Sequence, residues 1–121
     1  MTNHTIIIAE AGVNHNGSLE LAKQLVLKAK EAGVDYIKFQ SFKASQLVTK
    51  SAIQAEYQQR NNGGQEESQY QMLRRLELSP EDHRILIDYC NGLDIKFFST
   101  AFDIASSLWS AHSEPAVVVT K

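Results

Sequence analysis

The feature that most constrains this chain is a series of short apolar runs separated by stretches of helix length. The runs occupy residues 5–10, 35–40 and 95–100, with residues 116–119 as a fourth candidate. Ser18 and Gly33 predict the start and the end of a helix between the first two runs, and Ser79 with Pro80 predicts another helix start. Strands joined by helices through short connections form βαβ units. The sequence therefore predicts an α/β fold with a parallel sheet.

Several expectations concern burial and the remaining elements. The first run is rich in β-branched residues, which is typical of a strand buried on both faces. In the helix that follows, apolar residues at helical spacing are expected to face the core. These residues are Leu21, Leu25, Ala29 and Ala32. Residues 41–69 form a long polar segment, in which we expect a short helix over 52–59 and a lid above a site. Residues 101–111 are also expected to be helical.

Two architectures share this order of elements, a closed (β/α)₈ TIM barrel and an open doubly wound sheet. Residues 12–17 read Gly-Val-Asn-His-Asn-Gly and lack the middle glycine of the phosphate-binding motif that opens many doubly wound sheets. Each predicted strand ends in polar residues, and barrel enzymes carry their catalytic side chains at those ends. We therefore favour the barrel. Since a barrel needs about 250 residues, we expect these 121 residues to form a truncated, amino-terminal half of one barrel domain.

The composition excludes several classes of function. A formal net charge of −2 provides no long-range field for nucleic acid or for anionic lipid. No signal peptide or membrane span is visible, and Cys90 is the single cysteine, so we expect a cytoplasmic protein without an internal disulfide. Because Cys90 lies on the apolar stripe of its helix, we expect a core residue and not a nucleophile.

Alternation along the strands predicts a cluster of polar side chains. Glu10, Lys38, Gln40 and Thr100 fall on equivalent faces of three strands and are expected to converge at one end of the sheet. A lysine there would hold an anionic group, a phosphate or a carboxylate, and Glu10 would accept hydrogen bonds from a polyol. The alternative is an internal ion pair between Glu10 and Lys38 with no catalytic role.

The remaining polar candidates are weaker. Asn14 and His15 follow the first strand and could touch a substrate, but residues of this kind in tight loops more often hydrogen-bond the local backbone. His4, His83 and His112 are scattered along the chain and are expected at the surface. No metal site can be assembled from this chain alone.

Three ordered motifs resemble the sialic acid synthases, a family that includes the N-acetylneuraminate, legionaminate and pseudaminate synthases. Residues 8–17 read Ile-Ala-Glu-Ala-Gly-Val-Asn-His-Asn-Gly, residues 36–40 read Tyr-Ile-Lys-Phe-Gln, and residues 97–103 read Phe-Phe-Ser-Thr-Ala-Phe-Asp. The resemblance covers residues 5–103 and is greatest to the bacterial legionaminate type, whereas residues 104–121 diverge from the family pattern.

The resemblance implies that phosphoenolpyruvate condenses with an N-acetylated hexosamine to give a nonulosonic acid and phosphate. The hexosamine would be N-acetylmannosamine or a 2,4-diacetamido-trideoxyhexose. Lys38, Thr100 and the adjacent Ser99 match positions that bind phosphoenolpyruvate, and Glu10 and Gln40 match positions at the sugar site. Glu10 and Lys38 would be the catalytic pair. Full-length members are similar in being homodimeric barrels that use Mn²⁺ or Mg²⁺, whose ligands are absent from this chain.

Two alternatives remain beside this interpretation. One is a non-catalytic half-barrel that binds a ligand or a partner chain. The other is a different barrel synthase that uses phosphoenolpyruvate. Because half a barrel leaves sheet edges unpaired, we expect the 121-residue chain alone to be inactive and only marginally folded.

Overall fold

The computed structural model describes residues 4–48, 68–102 and 117–120. Their elements, in chain order, are β1 (Ile8–Gly12), α1 (Leu19–Glu31), β2 (Tyr36–Ser41), α2 (Ala44–Leu47), α3 (Gln69–Leu76), α4 (Pro80–Gly92), β3 (Lys96–Ala101) and β4 (Val117–Thr120). The helix expected over 52–59, most of the expected lid and nearly all of the helix expected over 101–111 lie outside the described residues.

The strands form one parallel sheet in the order β1-β2-β3-β4. Each strand therefore lies beside the next one along the chain. The predicted α/β fold with a parallel sheet is confirmed, and so is the fourth strand, which pairs with β3.

The helix boundaries follow from local hydrogen bonds. The Ser18 hydroxyl accepts a hydrogen bond from the backbone N–H of Leu21 at 3.2 Å and begins α1, and Gly33 follows its end with a φ of +79°. Ser79 and Asp82 form a reciprocal capping box at the start of α4, where Pro80 occupies the first turn. Such caps satisfy backbone N–H groups that would otherwise lack partners. These predicted boundaries are confirmed.

The core lies between one face of the sheet, which we call the helix face, and helices α1 and α4. Ile37, Phe39 and Phe97 supply its largest strand residues. The helices contribute Ala22, Val26, Ala29, Leu86, Ile87 and Cys90. Because α1 and α4 cover the same face, the described part of the chain is singly wound, with both of these helices on one side of the sheet. Burial raises the pKa of the Cys90 thiol to about 12, which confirms Cys90 as an inert core residue.

One prediction of burial is correct only in part and another is wrong. In α1 the expected stripe is confirmed at Ala29, which is buried, and at Leu25, which packs against the core. Leu21 and Ala32 are exposed instead, and Ala22 and Val26 complete the buried stripe. Residues 6–8 are also exposed, at 60%, 52% and 48%. In the described part of the chain β1 is an edge strand, and no described layer covers the face opposite the helices. Among these residues no helix has the length and apolar character to cross a membrane.

Candidate active site at the carboxyl ends of the strands

The second face of the sheet, which we call the polar face, carries an ion pair between neighbouring strands. Glu10 of β1 lies directly opposite Lys38 of β2 in the parallel register. The Lys38 Nζ atom is 2.9 Å from the Glu10 Oε2 atom, and the side chains are 30% and 53% exposed respectively. Both groups therefore remain accessible to a ligand from the solvent side.

Gln40 and Thr100 extend the polar face toward the ends of the strands. They are register partners on β2 and β3, and Thr100 is buried while Gln40 is half-buried. The four residues predicted to share one face, Glu10, Lys38, Gln40 and Thr100, are thus brought to the same end of the sheet. A cation, a carboxylate, an amide and a hydroxyl at this edge can bind a ligand that combines anionic and hydroxyl groups.

Gly12 keeps the space between Glu10 and Gln40 open. The β1–β2 register shifts between Glu10 and Gly12, and Gly12 adopts a φ of +54°. A Cβ atom at this position would lie 3.2 Å from the Glu10 Oε1 atom and 3.6 Å from the Gln40 Nε2 atom. Glycine is therefore favoured here both by the backbone angle and by the close approach of two site residues.

Ser99 is not brought to the polar face. Its side chain lies on the helix face, fully buried, and its Oγ atom is 2.5 Å from the Ser41 Oγ atom. The Ser41 Oγ atom is in turn 3.1 Å from the Nε2 atom of His83. Alternation places Ser99 on the side opposite to its neighbour Thr100, so its hydroxyl contacts Ser41 and not the Glu10–Lys38 pair.

His83 is buried, with 3% of its surface exposed, so the prediction of a surface histidine is wrong at this position. Its Nδ1 atom lies 2.9 Å from the backbone carbonyl oxygen of Ser79 and donates to it, which leaves Nε2 to accept from the Ser41 hydroxyl. Burial lowers the pKa of His83 below its ordinary value of 6.5, and the hydrogen bond to Ser79 partly opposes that effect. His83 is therefore a neutral bridge between α4 and β2.

The loop after β1 has a mainly structural geometry. His15 is fully buried and its Nδ1 atom accepts a hydrogen bond from the Gly17 N–H at 2.9 Å, which is the local backbone bond that we preferred for this residue. Burial first, and then the electrostatic interaction with His83, lower the pKa of His15. Asn14 is exposed and its backbone N–H donates to the carbonyl of Ala11. The Nε2 atom of His15 has no hydrogen-bond partner within the described residues.

The other histidine in the described ranges, His4, is exposed, as predicted. Its Nε2 atom lies 2.9 Å from the Asp35 carboxylate, which also accepts from the Ile7 N–H. These two interactions, the Ile7 bond first, lower the pKa of Asp35. His112 lies outside the described residues. Across residues 4–48, 68–102 and 117–120, no three His, Cys, Asp or Glu side chains are placed to hold a metal ion.

Sequence reasoning missed three residues around this site: Gly12, Ser41 and His83. A signal existed for Gly12, because a glycine two residues after a strand-end carboxylate is typical of a bulge or a close approach. The partnership of Ser41 with His83 spans 42 positions along the chain, and no local pattern encodes it.

Fold and site together define an α/β protein of the parallel, singly wound kind, with a polar site at the carboxyl ends of its strands. The family model described as the NeuB family matches residues 25–115. The chain therefore belongs to the NeuB family, and the resemblance to the sialic acid synthases is confirmed.

Curated relatives and solved structures agree with this assignment. The chain is 59% identical over 97 residues to the N,N'-diacetyllegionaminic acid synthase of Legionella pneumophila, covering 80% of this chain and 27% of that protein. It is 33% identical to the human N-acetylneuraminate-9-phosphate synthase, covering 80% of this chain and 26% of that protein. The crystal structure of the N-acetylneuraminic acid synthetase from Leptospira borgpetersenii superposes with a TM-score of 0.67 at 26% identity, covering 88% of this chain and 32% of that chain. The chain thus spans less than a third of each.

Proposed function

We propose that this chain carries the strand ends that bind phosphoenolpyruvate and an N-acetylated hexosamine in a nonulosonic acid synthase. The observation that carries the proposal is the pairing of Lys38 with Glu10 at 2.9 Å on the accessible polar face, with Gln40 and Thr100 beyond it. The Legionella and human relatives are named as synthases of sialic-acid-type sugars, which supports the same reaction class here.

Lys38 is proposed to bind phosphoenolpyruvate. Its ammonium group is the cation of the polar face nearest to the carboxyl ends of β1 and β2, and it is already held in place by Glu10. A phosphate or carboxylate oxygen that replaces or joins the Glu10 carboxylate would form a charge-assisted hydrogen bond with it. Thr100 would add a hydroxyl donor from β3. The Ser99 hydroxyl, which faces the helices, is assigned a supporting role through Ser41 and not a direct contact.

Glu10 and Gln40 are proposed to bind the hexosamine. A carboxylate accepts hydrogen bonds from sugar hydroxyls, and a side-chain amide can donate to and accept from an acetamido group. The space beside Gly12 lies between these two side chains. Glu10 would place the reacting end of the sugar next to the phosphoenolpyruvate held by Lys38, which is a contribution of orientation. The identity of the hexosamine, N-acetylmannosamine or a 2,4-diacetamido-trideoxyhexose, depends on contacts beyond these four residues.

The proposed reaction joins the enol carbon of phosphoenolpyruvate to the aldehyde carbon of the open-chain hexosamine. The aldehyde oxygen takes up a proton and becomes a hydroxyl. Water adds to the carbon that bears the phosphate ester, the C–O bond to phosphate breaks, and a 2-keto acid and inorganic phosphate result. Lys38 balances the charge of the anionic substrate throughout, and Glu10 holds the sugar.

The finer features of the family are part of the same proposal. The four strands would be the first four of a (β/α)₈ barrel, which the sequential strand order and the single helix-covered face support. Homodimerisation is proposed from the family resemblance, and a cytoplasmic location from the composition and the single cysteine. Mn²⁺ or Mg²⁺ would act as a Lewis acid, but the described residues do not fit a metal site, so the roles given above are those of the chain's own side chains.

A titration of the ¹⁵N-labelled chain with phosphoenolpyruvate, followed by NMR, tests this proposal. We expect chemical-shift changes centred on residues 10, 38, 40 and 100, and their loss in Lys38→Met. Lys28→Met is the matched control, because Lys28 is also paired with a carboxylate, Glu31, at 3.1 Å but lies on the outer surface of α1. Removal of a charge-assisted hydrogen bond costs about 1.5–3 kcal/mol, which is a loss of more than tenfold in affinity.

Three results would contradict the proposed role of Lys38. Shift changes scattered over surface lysines, equal binding by Lys38→Met, or equal displacement by chloride would remove Lys38 from the site and leave its pair with Glu10 as a structural ion pair. Inorganic phosphate is the second probe, and it should compete with phosphoenolpyruvate at the same residues.

A further inference from the structure

The carboxyl ends of β2 and β3 carry an unusual feature on the helix face, two fully buried serines. Ser41 and Ser99 are exposed by no more than 1%, and their Oγ atoms are 2.5 Å apart. Earlier in the same strands the helix face is apolar, with Ile37, Phe39 and Phe97. Burying a hydroxyl is costly unless it is hydrogen-bonded, so this polar junction must be satisfied within the protein.

His83 satisfies it. The Nδ1–H of His83 donates to the carbonyl of Ser79, the N-cap residue of α4, and its Nε2 atom accepts from Ser41. Ser99 then donates to Ser41, which completes a chain of hydrogen bonds from β3 through β2 to α4. We call Ser41, Ser99 and His83 the serine–histidine cluster. Its fixed donor and acceptor order gives one arrangement of the strand ends relative to the helix.

The cluster lies directly behind the polar face. Gln40 immediately precedes Ser41 and Thr100 immediately follows Ser99, and Gln40 and Thr100 are register partners. Since adjacent residues of a strand point to opposite faces, a shift of either serine moves the neighbouring site residue by a similar amount. An apolar pair of the same shape would serve stability about as well, so the cluster is better explained by its control of position.

We infer that His83 is a positioning residue for the ligand site: through Ser41 and Ser99 it fixes the ends of β2 and β3 and so places Gln40 and Thr100. The inference rests on the proposed function insofar as the ligand is phosphoenolpyruvate. His83 itself touches no substrate, because it lies on the opposite side of the sheet.

The test uses the full 121-residue chain and four variants. His83→Leu and Ser41→Ala break the cluster, whereas His83→Gln keeps an oxygen able to accept from Ser41. Ser45→Ala, which removes an exposed hydroxyl on α2, is the matched control. The readouts are the affinity for phosphoenolpyruvate and the amide hydrogen exchange of residues 39–41 and 99–101, compared with that of α1.

We expect His83→Leu and Ser41→Ala to weaken phosphoenolpyruvate binding about three- to tenfold, the range of one lost hydrogen bond. His83→Gln should restore most of it and Ser45→Ala should change nothing. Hydrogen exchange should accelerate at the ends of β2 and β3 while α1 is unaffected. In wild type, ¹⁵N NMR of the His83 ring should show the proton on Nδ1.

Other outcomes are equally informative. If wild type binds and the cluster variants bind as tightly, the inference is overturned. If exchange accelerates uniformly, α1 included, the cluster merely stabilises the fold and the inference is again overturned. If wild type does not bind phosphoenolpyruvate, the proposed function fails, but local acceleration in Ser41→Ala and its rescue in His83→Gln would still support the positioning role.

Discussion

The two faces of this sheet are built from alternate residues of the same strands, and they differ in almost every property. On the helix face, Ile37, Phe39 and Phe97 are buried against α1 and α4. On the polar face, Lys38 and Glu10 are partly exposed and paired with each other. One strand therefore supports both the core and the site, and the burial pattern of β2 alternates strictly between them. Stability and chemistry are thus separated by single positions along the chain.

The contrast between an apolar helix face and a polar second face is lost at the carboxyl ends of the strands. There the helix face becomes polar, with the serine–histidine cluster behind Gln40 and Thr100. The comparison teaches that the core is apolar where it only holds the sheet together, and hydrogen-bonded where it also determines the position of site residues.

The largest expected effect comes from comparing two phenylalanines of β3, one on each face of the sheet. Phe97 and Phe98 are neighbours in β3, but Phe97 is buried on the helix face while Phe98 is half-buried on the polar face. We expect Phe97→Ala to lower the free energy of unfolding by about 3–5 kcal/mol, since it creates a cavity against Phe39. Phe98→Ala should cost about 1–2 kcal/mol. Urea denaturation measures both, and equal losses would show that the polar face is covered as well as the helix face.

The next prediction compares alanine substitutions at two glycines, which lie in loops at opposite ends of the sheet. Gly17 follows β1 and Gly33 precedes β2, and both have positive φ angles, +78° and +79°. A Cβ atom on Gly17 would lie 2.0 Å from the Arg75 carbonyl oxygen, whereas one on Gly33 would meet nothing within 4 Å. Gly17→Ala combines backbone strain with a clash and should cost about 2–4 kcal/mol.

Gly33→Ala isolates the strain of the positive φ angle and should cost about 1–2 kcal/mol. Thermal or urea unfolding of the two variants gives the contribution of the clash as their difference. If the two losses are the same, the loop after β1 does not pack against the end of α3 in solution.

Acidification should lower the free energy of unfolding, because two histidines are buried on the helix side of the sheet. Burial lowers the pKa values of His83 and His15 from their ordinary value of 6.5. Below pH 6.5 the unfolded chain therefore binds more protons than the folded chain, and stability falls as the pH falls toward the lowered pKa values. Above pH 6.5 both histidines are neutral in both states and contribute no slope. Each can contribute at most about 1.4 kcal/mol per pH unit.

The free energy of unfolding, measured from pH 7.5 to 5, checks this prediction. His83→Gln should remove its share of the slope and leave that of His15. A profile that is the same in wild type and in His83→Gln would mean that His83 titrates normally and is not buried.

Much of this organisation could be predicted from the sequence, and the limits have physical causes. The order of strands and helices follows from caps such as Ser18 and Ser79, and the polar-face set follows from alternation, because both are local rules. The side of α1 that faces the core could be predicted only in part from apolar spacing, because the helix carries more apolar residues than one face can bury: Val26 is buried while Leu21 is exposed. His83 could not be placed because a buried histidine is defined by distant partners, here Ser41.

The smallest expected effect bears directly on the role of the Glu10–Lys38 pair. In the free protein the Glu10 carboxylate neutralises Lys38 at 2.9 Å, so it also repels an incoming phosphate or carboxylate. Glu10→Gln keeps the shape of the side chain but removes that repulsion. Because the pair is partly exposed, its interaction is worth at most about 1 kcal/mol, and phosphoenolpyruvate should bind up to about fivefold more tightly. In a full-length synthase that carries this segment, turnover with the hexosamine should fall in the same variant, since the sugar loses a carboxylate partner. Glu31→Gln, which breaks the surface pair with Lys28, is the control and should change neither quantity.

Weaker binding of phosphoenolpyruvate in Glu10→Gln would instead mean that Glu10 is needed to orient Lys38. Unchanged affinity and turnover would leave Glu10 as a structural residue and remove it from the sugar site.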